Sequence, residues 1–293
     1  MLPDISIRQL EYLVAVDEAS TWARAASAVG VSPSALSQGL AELERRLGVA
    51  LFDRESRRRA LRPAAVPVVG HARQVLGLTA DLSRWAERLK QGMAGRVRLG
   101  MIDAAAVVHF PEHLGTFRAD HPDIELLIRV SPSASLLKLL VAGHLDLAVC
   151  VAPPRPVGGI ETQALTTETL AVYAPPGSAI GRPASWGPWV LNPVGSHTRQ
   201  VVVTELRRLG APIDVVAESH QPDVLRELVR LGVGWTVLPS SQADEGARPL
   251  AGGRVLATRQ LVVAMRASAV RDPAVQMLAA RLHAPARRTR RAR

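Results

Sequence analysis

From Ser20 to Leu47 the chain reads STWARAASAVGVSPSALSQGLAELERRL, and this stretch constrains the fold more than any other. Two short helical patterns flank Gly30. The second opens with Ser32-Pro33, an N-cap residue followed by a proline whose fixed φ suits the first helical position. Leu36, Leu40, Leu43 and Leu47 recur at helical spacing and make one apolar face. Ser34, Ser37, Gln38, Ala41 and Arg45 fall together on another. Small and amide side chains on the outer face of a second helix suit insertion into a DNA major groove. Taken alone, the stretch fits an ordinary helical hairpin with a solvated polar face equally well.

The flanking residues bear on that choice. Residues 6–19 form a predicted helix with a Ser6/Gln9 capping box, and Ile7, Leu10, Leu13 and Val14 make its expected core stripe. After the second helix comes GVALFDRESRRRALR, residues 48–62. Val49, Leu51 and Phe52 begin a strand, the turn carries Arg54, Arg57, Arg58 and Arg59, and Ala60-Leu61 return. A basic hairpin directly after two such helices is the plan of a winged module, with the arginines and Arg45 meeting phosphates or entering a minor groove. A solvated charged loop is the plainer alternative. Gly39, inside the presumed reading helix, costs about 1 kcal/mol relative to alanine unless close approach to DNA requires it.

A long helix is expected next, from about Val66 to Gln91, because Pro67 fits only a first turn. Val68, Ala72, Val75, Thr79, Leu82, Ala86 and Leu89 repeat at heptad spacing, a seam that asks for a partner helix and hence a homodimer. Packing on the chain's own second half fits the same seam. Beyond the break at residues 92–95 the pattern alternates. Strands are expected at 96–100, 124–130, 145–151, 169–173, 189–191, 215–217, 235–238 and 261–265. Helices are expected at 111–120, 135–142, 199–209, 222–231 and 273–282. Strands alternating with helices predict a parallel sheet covered on both faces, here as two α/β lobes with a cleft between them.

Ligands of open α/β lobes bind beyond the carboxyl ends of the strands. That rule selects Asp103 and Ala104, Ser131, Ser133 and Ser135, Ser196, His197 and Arg199, and Ser219 with His220 as candidate ligand contacts. The serines stand near helix N-termini, where backbone N–H groups attract anions. Asp103 facing the cleft would favour an amino group, so a zwitterion such as an amino acid is the expected ligand; a loop cap is the equal alternative for this residue.

Composition excludes more than it assigns. With aromatic residues at 3%, the cores are expected to be aliphatic. The net charge of +10 owes most to six arginines in the last 13 residues, whose tail, 284–293, is expected to be disordered and could add non-specific nucleic-acid affinity. The single cysteine, Cys150, excludes an internal disulfide and reads as a small buried hydrophobe. Neither a secretory signal nor an apolar run of about 20 residues is seen, so a cytoplasmic protein without membrane contact is expected. Nucleophile-elbow and phosphate-loop motifs are lacking, and Pro111 separates His109 from His113, so neither an enzyme, a metal site nor a cofactor is expected.

These residues resemble the LysR-type transcriptional regulators across nearly the whole chain. The resemblance rests on Ala25-Ala26, Val31-Ser32-Pro33-Ser34-Ala35-Leu36-Ser37-Gln38, Leu43-Glu44, Leu47-Gly48 and Leu51-Phe52-Asp53-Arg54. Phe117, His121-Pro122-Asp123, Gly143-His144-Leu145-Asp146-Leu147 and Leu228-Val229 with Gly232, Gly234 and Pro239 extend it. It implies a winged helix-turn-helix DNA-binding domain (1–65), a dimerising linker helix (66–92) and an effector domain (93–293) like the periplasmic solute-binding proteins. It also implies a homotetramer that acts on double-stranded promoter DNA when a small-molecule effector enters the cleft. The rival is a small-molecule binding protein that does not regulate DNA. The chain departs from the family at Gln38, commonly arginine, which suits adenine better than guanine. It departs again at Arg62-Pro63-Ala64, where a capping threonine is lost, and at Asp103, where a hydroxyl residue is commoner.

Overall fold

The computed structural model describes residues 4–53, 60–91, 95–243, 250, 253–267 and 272–284. The chain divides into two compact units, one centred on Met1–Gly92 and the other on Met93–Leu140 and Leu145–Ala267.

The first unit contains α1 (Ile7–Glu18), α2 (Trp22–Ala28), α3 (Pro33–Leu47) and α4 (Ala65–Gln91). The capping box forms as expected: Gln9 N–H donates to Ser6 Oγ at 3.2 Å and Ser6 N–H to Gln9 Oε1 at 2.9 Å. That pairing satisfies the Gln9 amide locally, and the inward face of α1 runs through Gln9, Leu10, Tyr12 and Leu13. Ile7, expected in the core stripe, is instead half exposed. Gly30 takes φ +69°, the left-handed conformation that ends α2, and Val31 N–H closes the turn on Ala26 C=O at 3.0 Å. Ser32 caps α3, and Leu36, Leu40 and Leu43 are buried against α1, Ala25 and Ala26.

Gly39 has a reason inside the protein. A Cβ there would stand 2.7 and 2.8 Å from two ring carbons of Tyr12, so the glycine makes room for α1 to pack on α3. The expected hairpin is present at its base, as an isolated Phe52–Leu61 bridge flanked by Asp53 N–H to Ala60 C=O and Arg62 N–H to Leu51 C=O, both 2.9 Å. Val49, expected in its first strand, lies outside the bridge and is exposed. Glu44 of α3 accepts from the N–H groups of Leu51 (2.7 Å) and Phe52 (3.1 Å), so one carboxylate ties the hairpin to α3.

The α4 helix starts at Ala65 with Pro67 in its first turn. Its seam is divided. Ala72 is buried with Ala65 and Val69 in the core of the first unit, where Val68 and Val75 also pack, whereas Leu82 is exposed together with Leu78. The amino half of the seam is thus used within the chain, on α1, because the same 3–4 spacing serves an intramolecular face as well as a coiled coil. The side chain of Leu89 lies outside the described residues. Arg73 pairs with Asp17 and Glu18 at the end of α1.

The second unit holds β1 (Arg96–Met101), a π-helical turn (Ala105–His109), α5 (Pro111–Asp120), β2 (Glu125–Val130), α6 (Ser133–Val141) and β3 (Leu147–Val151). There follow β4 (Ile160–Tyr173), β5 (Trp189–Leu191), α7 (His197–Arg208), β6 (Val215–Glu218) and α8 (Pro222–Arg230). The last elements are β7 (Thr236–Pro239), α9 (Ser240–Ala243), β8 (Arg254–Arg266) and α10 (Pro273–His283).

The expectation of a parallel sheet needs correction. The main sheet runs β2-β1-β3-β8-β4-β7 and is mixed: β2, β1 and β3 are parallel, while β8 is antiparallel to β3 and β4, and β7 is antiparallel to β4. β5 and β6 pair in parallel separately. The long β4–β8 ribbon explains the difference. Its outer halves, residues 160–168 and 254–260, alternate polar and apolar side chains too weakly to read as strands, and antiparallel pairing follows from them.

Three cores result. Val97, Leu99, Leu147, Val149, Cys150 and Leu261 build the first with α5, α6 and α10. Along β4, Leu170 and Val172 face a second core with α7, and Ala171 and Tyr173 a third with α8, as period-2 alternation requires. The second core is not purely aliphatic: among its leucines and valines Trp186, Trp189 and Trp235 meet with ring centroids 6.3 to 6.4 Å apart.

Candidate DNA interface and effector cavity

On α3 the buried leucine face leaves the opposite side open, because a 3.6-residue period separates the two stripes. Ser32, Ser34, Gln38, Ala41 and Arg45 are exposed there and Ser37 is half-buried. Ser32 Oγ accepts the Ala35 N–H at 3.2 Å and lies 2.9 Å from Ser34 Oγ, fixing the amino end of the helix. Arg45 pairs with Glu42, which also takes Arg46. The hydrogen bonds from Arg45 and then Arg46 hold the Glu42 carboxyl at about 2. Arg45 therefore offers a shared rather than a free charge. The hairpin arginines Arg54, Arg57, Arg58 and Arg59 lie outside the described residues, as does the tail beyond Ala284.

The second unit forms an open cavity of about 530 Å³ at the carboxyl ends of its parallel strands. Asp103 and Ala104 come from the turn after β1, and Ser131 and Ser133 from the approach to α6. Ser196 and Thr198 come from the start of α7, and His220 with Gln221 from the approach to α8. The starts of three helices thus contribute to the lining of one space. Asp103 is exposed, and its Oδ1 accepts from Gln242 Nε2 of α9 at 2.9 Å.

Of the remaining expected contacts, Ser133 lines the cavity while its Oγ accepts the Val151 N–H at 3.1 Å. Ser135 is exposed on α6, outside the lining. His197 and Arg199 line a separate, wider groove on the outer side of α7. His197 Nδ1 meets Val151 C=O at 3.2 Å, and Arg199 donates to Asn192 C=O at 2.8 Å and pairs with Glu218. Ser219 lies outside the lining, its Oγ accepting the Gln221 N–H at 3.1 Å.

The buried charge that does line the cavity is Arg259 of β8. Its Nε donates to Glu168 Oε2 of β4 at 2.6 Å and its Nη1 to Thr198 Oγ1 at 2.7 Å. His109 Nε2 meets the other Glu168 oxygen at 2.8 Å. Burial pushes the Glu168 carboxyl up, but the hydrogen bond from His109 and the charge and hydrogen bond of Arg259 outweigh it and leave the group below the ordinary carboxylate value. Sequence reading missed Arg259, Glu168, Thr198 and Gln242. The available signal was a single charge in each of two β-patterned runs, TTETLAVY and TRQLVVAM. Among the described residues no group of histidines, cysteines and carboxylates is set to hold a metal ion. No described helix is long and apolar enough to cross a membrane.

Comparison with known proteins agrees with this division. Residues 7–65 match the family model described as a bacterial regulatory helix-turn-helix protein of the lysR family, and residues 90–286 match the LysR substrate binding domain. A regulator of the HTH type from Shigella flexneri, YfeR, is 26% identical over 87% of this chain and 83% of its own. A probable hydrogen peroxide-inducible genes activator from Streptomyces viridosporus is 29% identical over 94% of this chain and 93% of its own. Among solved structures, full-length OxyR from Pseudomonas aeruginosa has a TM-score of 0.58 at 24% identity, covering 97% of this chain and all of that one. At these identities the solved structures establish the fold.

Proposed function

The chain belongs to the LysR family of bacterial regulators, DNA-binding transcriptional regulators controlled by a small-molecule effector, and from that premise we propose how its two units divide the work. Residues 1–65 read promoter DNA, residues 66–92 form the dimerising helix, and residues 93–293 bind the effector in the cytoplasm. On DNA, Ser34, Ser37, Gln38 and Ala41 meet base edges, with Ser32 at the helix start. Arg45, Arg54, Arg57, Arg58 and Arg59 meet phosphates. The exposed side of α3 supports this assignment. Leu78 and Leu82, apolar and exposed on α4, support a homodimer through the linker helix, and the resemblance extends it to a homotetramer.

The effector is an amino acid. The observation that carries this reading is the presence of opposite charges in one cavity: the Asp103 carboxylate and the Arg259 guanidinium both line it, together with residues at the starts of three helices. Thermal-shift titration of the full chain with amino acids and with plain dicarboxylates tests it, since a ligand of the folded state raises apparent stability by mass action. Preference for amino acids is expected; preference for the dicarboxylates would sink the reading. Footprinting upstream of the chain's own gene, with and without the bound acid, tests the regulatory half. The peroxide response named for the Streptomyces relative does not suit this chain. Cys150 is fully buried in β3, and burial pushes its thiol up to about 12, leaving almost no thiolate to react.

A further inference from the structure

We propose that Arg259 reads the effector's carboxylate and that Glu168, steadied by His109, is the positioning residue that aims it. The proposal rests on the effector cavity assigned above.

Arg259 and Glu168 are direct cross-strand partners in the antiparallel β8–β4 ladder, so the register itself brings them together. Arg259 is more than nine-tenths buried, yet it lines the cavity. A guanidinium carries N–H donors on all three nitrogens. Nε is given to Glu168 and Nη1 to Thr198, whereas Nη2 has no partner among the described residues. That nitrogen is not sealed from solvent, so it can donate to a ligand that enters the cavity.

The supports make the donor rigid. Glu168 is held on its other oxygen by His109 from the π-helical turn, so its carboxylate does not rotate away from Arg259. Thr198 belongs to the first turn of α7, which links the guanidinium to a helix N-terminus already facing the cavity. Positive field and directional donor therefore serve the same end of the ligand, and neither reorganises when it arrives. Arg199, the arginine that sequence position alone favours, is committed to Asn192 and Glu218 on the other side of α7. A site whose donors are fixed for a carboxylate disfavours the matching amide, because the amide oxygen is a weaker acceptor and the amide NH2 would set a donor against the guanidinium N–H.

The test is calorimetric titration of the full chain with two pools, the L-amino acids and the unsubstituted mono- and dicarboxylates, then with single members and the amide of each acid that binds. The wild-type chain is expected to prefer the acid over its amide by about 10- to 100-fold. Arg259→Gln should bind acid and amide alike, and Arg259→Lys, which keeps the charge and loses the fork, should fall between. Glu168→Gln should lose part of the preference and Glu168→Asp regain some of it, a ratio that a purely structural defect would not move. If Arg259→Gln does not fold, the lysine and Glu168 variants carry the test. Binding from the carboxylate pool alone overturns the amino-acid reading and leaves Arg259 in place. An unchanged acid-to-amide ratio in the Arg259 variants overturns this proposal and leaves the amino-acid reading. A wild-type chain that binds no member of either pool overturns both.

Discussion

Gly39→Ala should destabilise the DNA-binding unit even though it improves the helix. In an open helix interior the change is worth about 1 kcal/mol in favour of alanine. Here the new Cβ would lie 2.7 and 2.8 Å from the Tyr12 ring, closer than real Cβ atoms approach. The ring has little freedom to yield: Tyr12 is buried, and its hydroxyl accepts from Arg8 Nε at 3.0 Å. Overpacking of this kind costs about 1–3 kcal/mol, so the net loss expected is about 0–2 kcal/mol. Amide hydrogen exchange along α3 in the full chain measures it, because local opening reports the stability of this unit apart from the other. In a Tyr12→Leu background the clash is removed, and Gly39→Ala should then stabilise by up to about 1 kcal/mol. Equal effects in the two backgrounds would refute the packing account. Unchanged exchange combined with lost DNA affinity would return Gly39 to a role at the DNA surface.

Other outcomes follow from the sites. Gln38→Ala should relax sequence preference, whereas Arg58→Ala should weaken binding to all sequences and lower its salt dependence by about one unit of slope; operator selection and salt titration separate them. The Glu168 carboxyl titrates below its ordinary 4.5 in the folded chain. A depressed carboxylate stabilises fully above that value and progressively less as pH falls below it. The acid-side loss of stability in denaturant titrations should accordingly be shallower in Glu168→Gln. Cys150 should resist thiol–disulfide exchange with a disulfide reagent at pH 8 until the chain is unfolded, and rapid labelling of the native protein would contradict its burial.

Local signals made much of this legible. The Ser6/Gln9 box, the Ser32-Pro33 start, the turn at Gly30 and the late start imposed by Pro67 are one-turn effects, and each appears where its residues place it. What escaped depends on partners far along the chain. Gly39 is explained by Tyr12, and the hairpin is tethered by Glu44, neither of which periodicity can pair. The cavity's cation escaped because the strands expected at 169–173 and 261–265 stop just short of Glu168 and Arg259. Helix starts therefore revealed where a ligand would sit, but not which charge would meet it. For the same reason Arg199 stood out, being at a helix start, although its guanidinium turns to Glu218.

The β4–β8 ribbon also bears on how such a chain can change length. It pairs from Ile160 with Arg266 to Val172 with Arg254, with irregularities only at Ala164/Thr166 and Leu170/Ala171. Side chains alternate along it, so inserting or deleting one residue between the irregularities would turn Glu168 away from Arg259 and exchange the faces that feed two cores. Loops at residues 174–188 can lengthen without such a penalty. Descendants of this sequence are thus free to vary at the rims, while the ribbon inherits its length as a single character, and the cavity's charge is inherited with it.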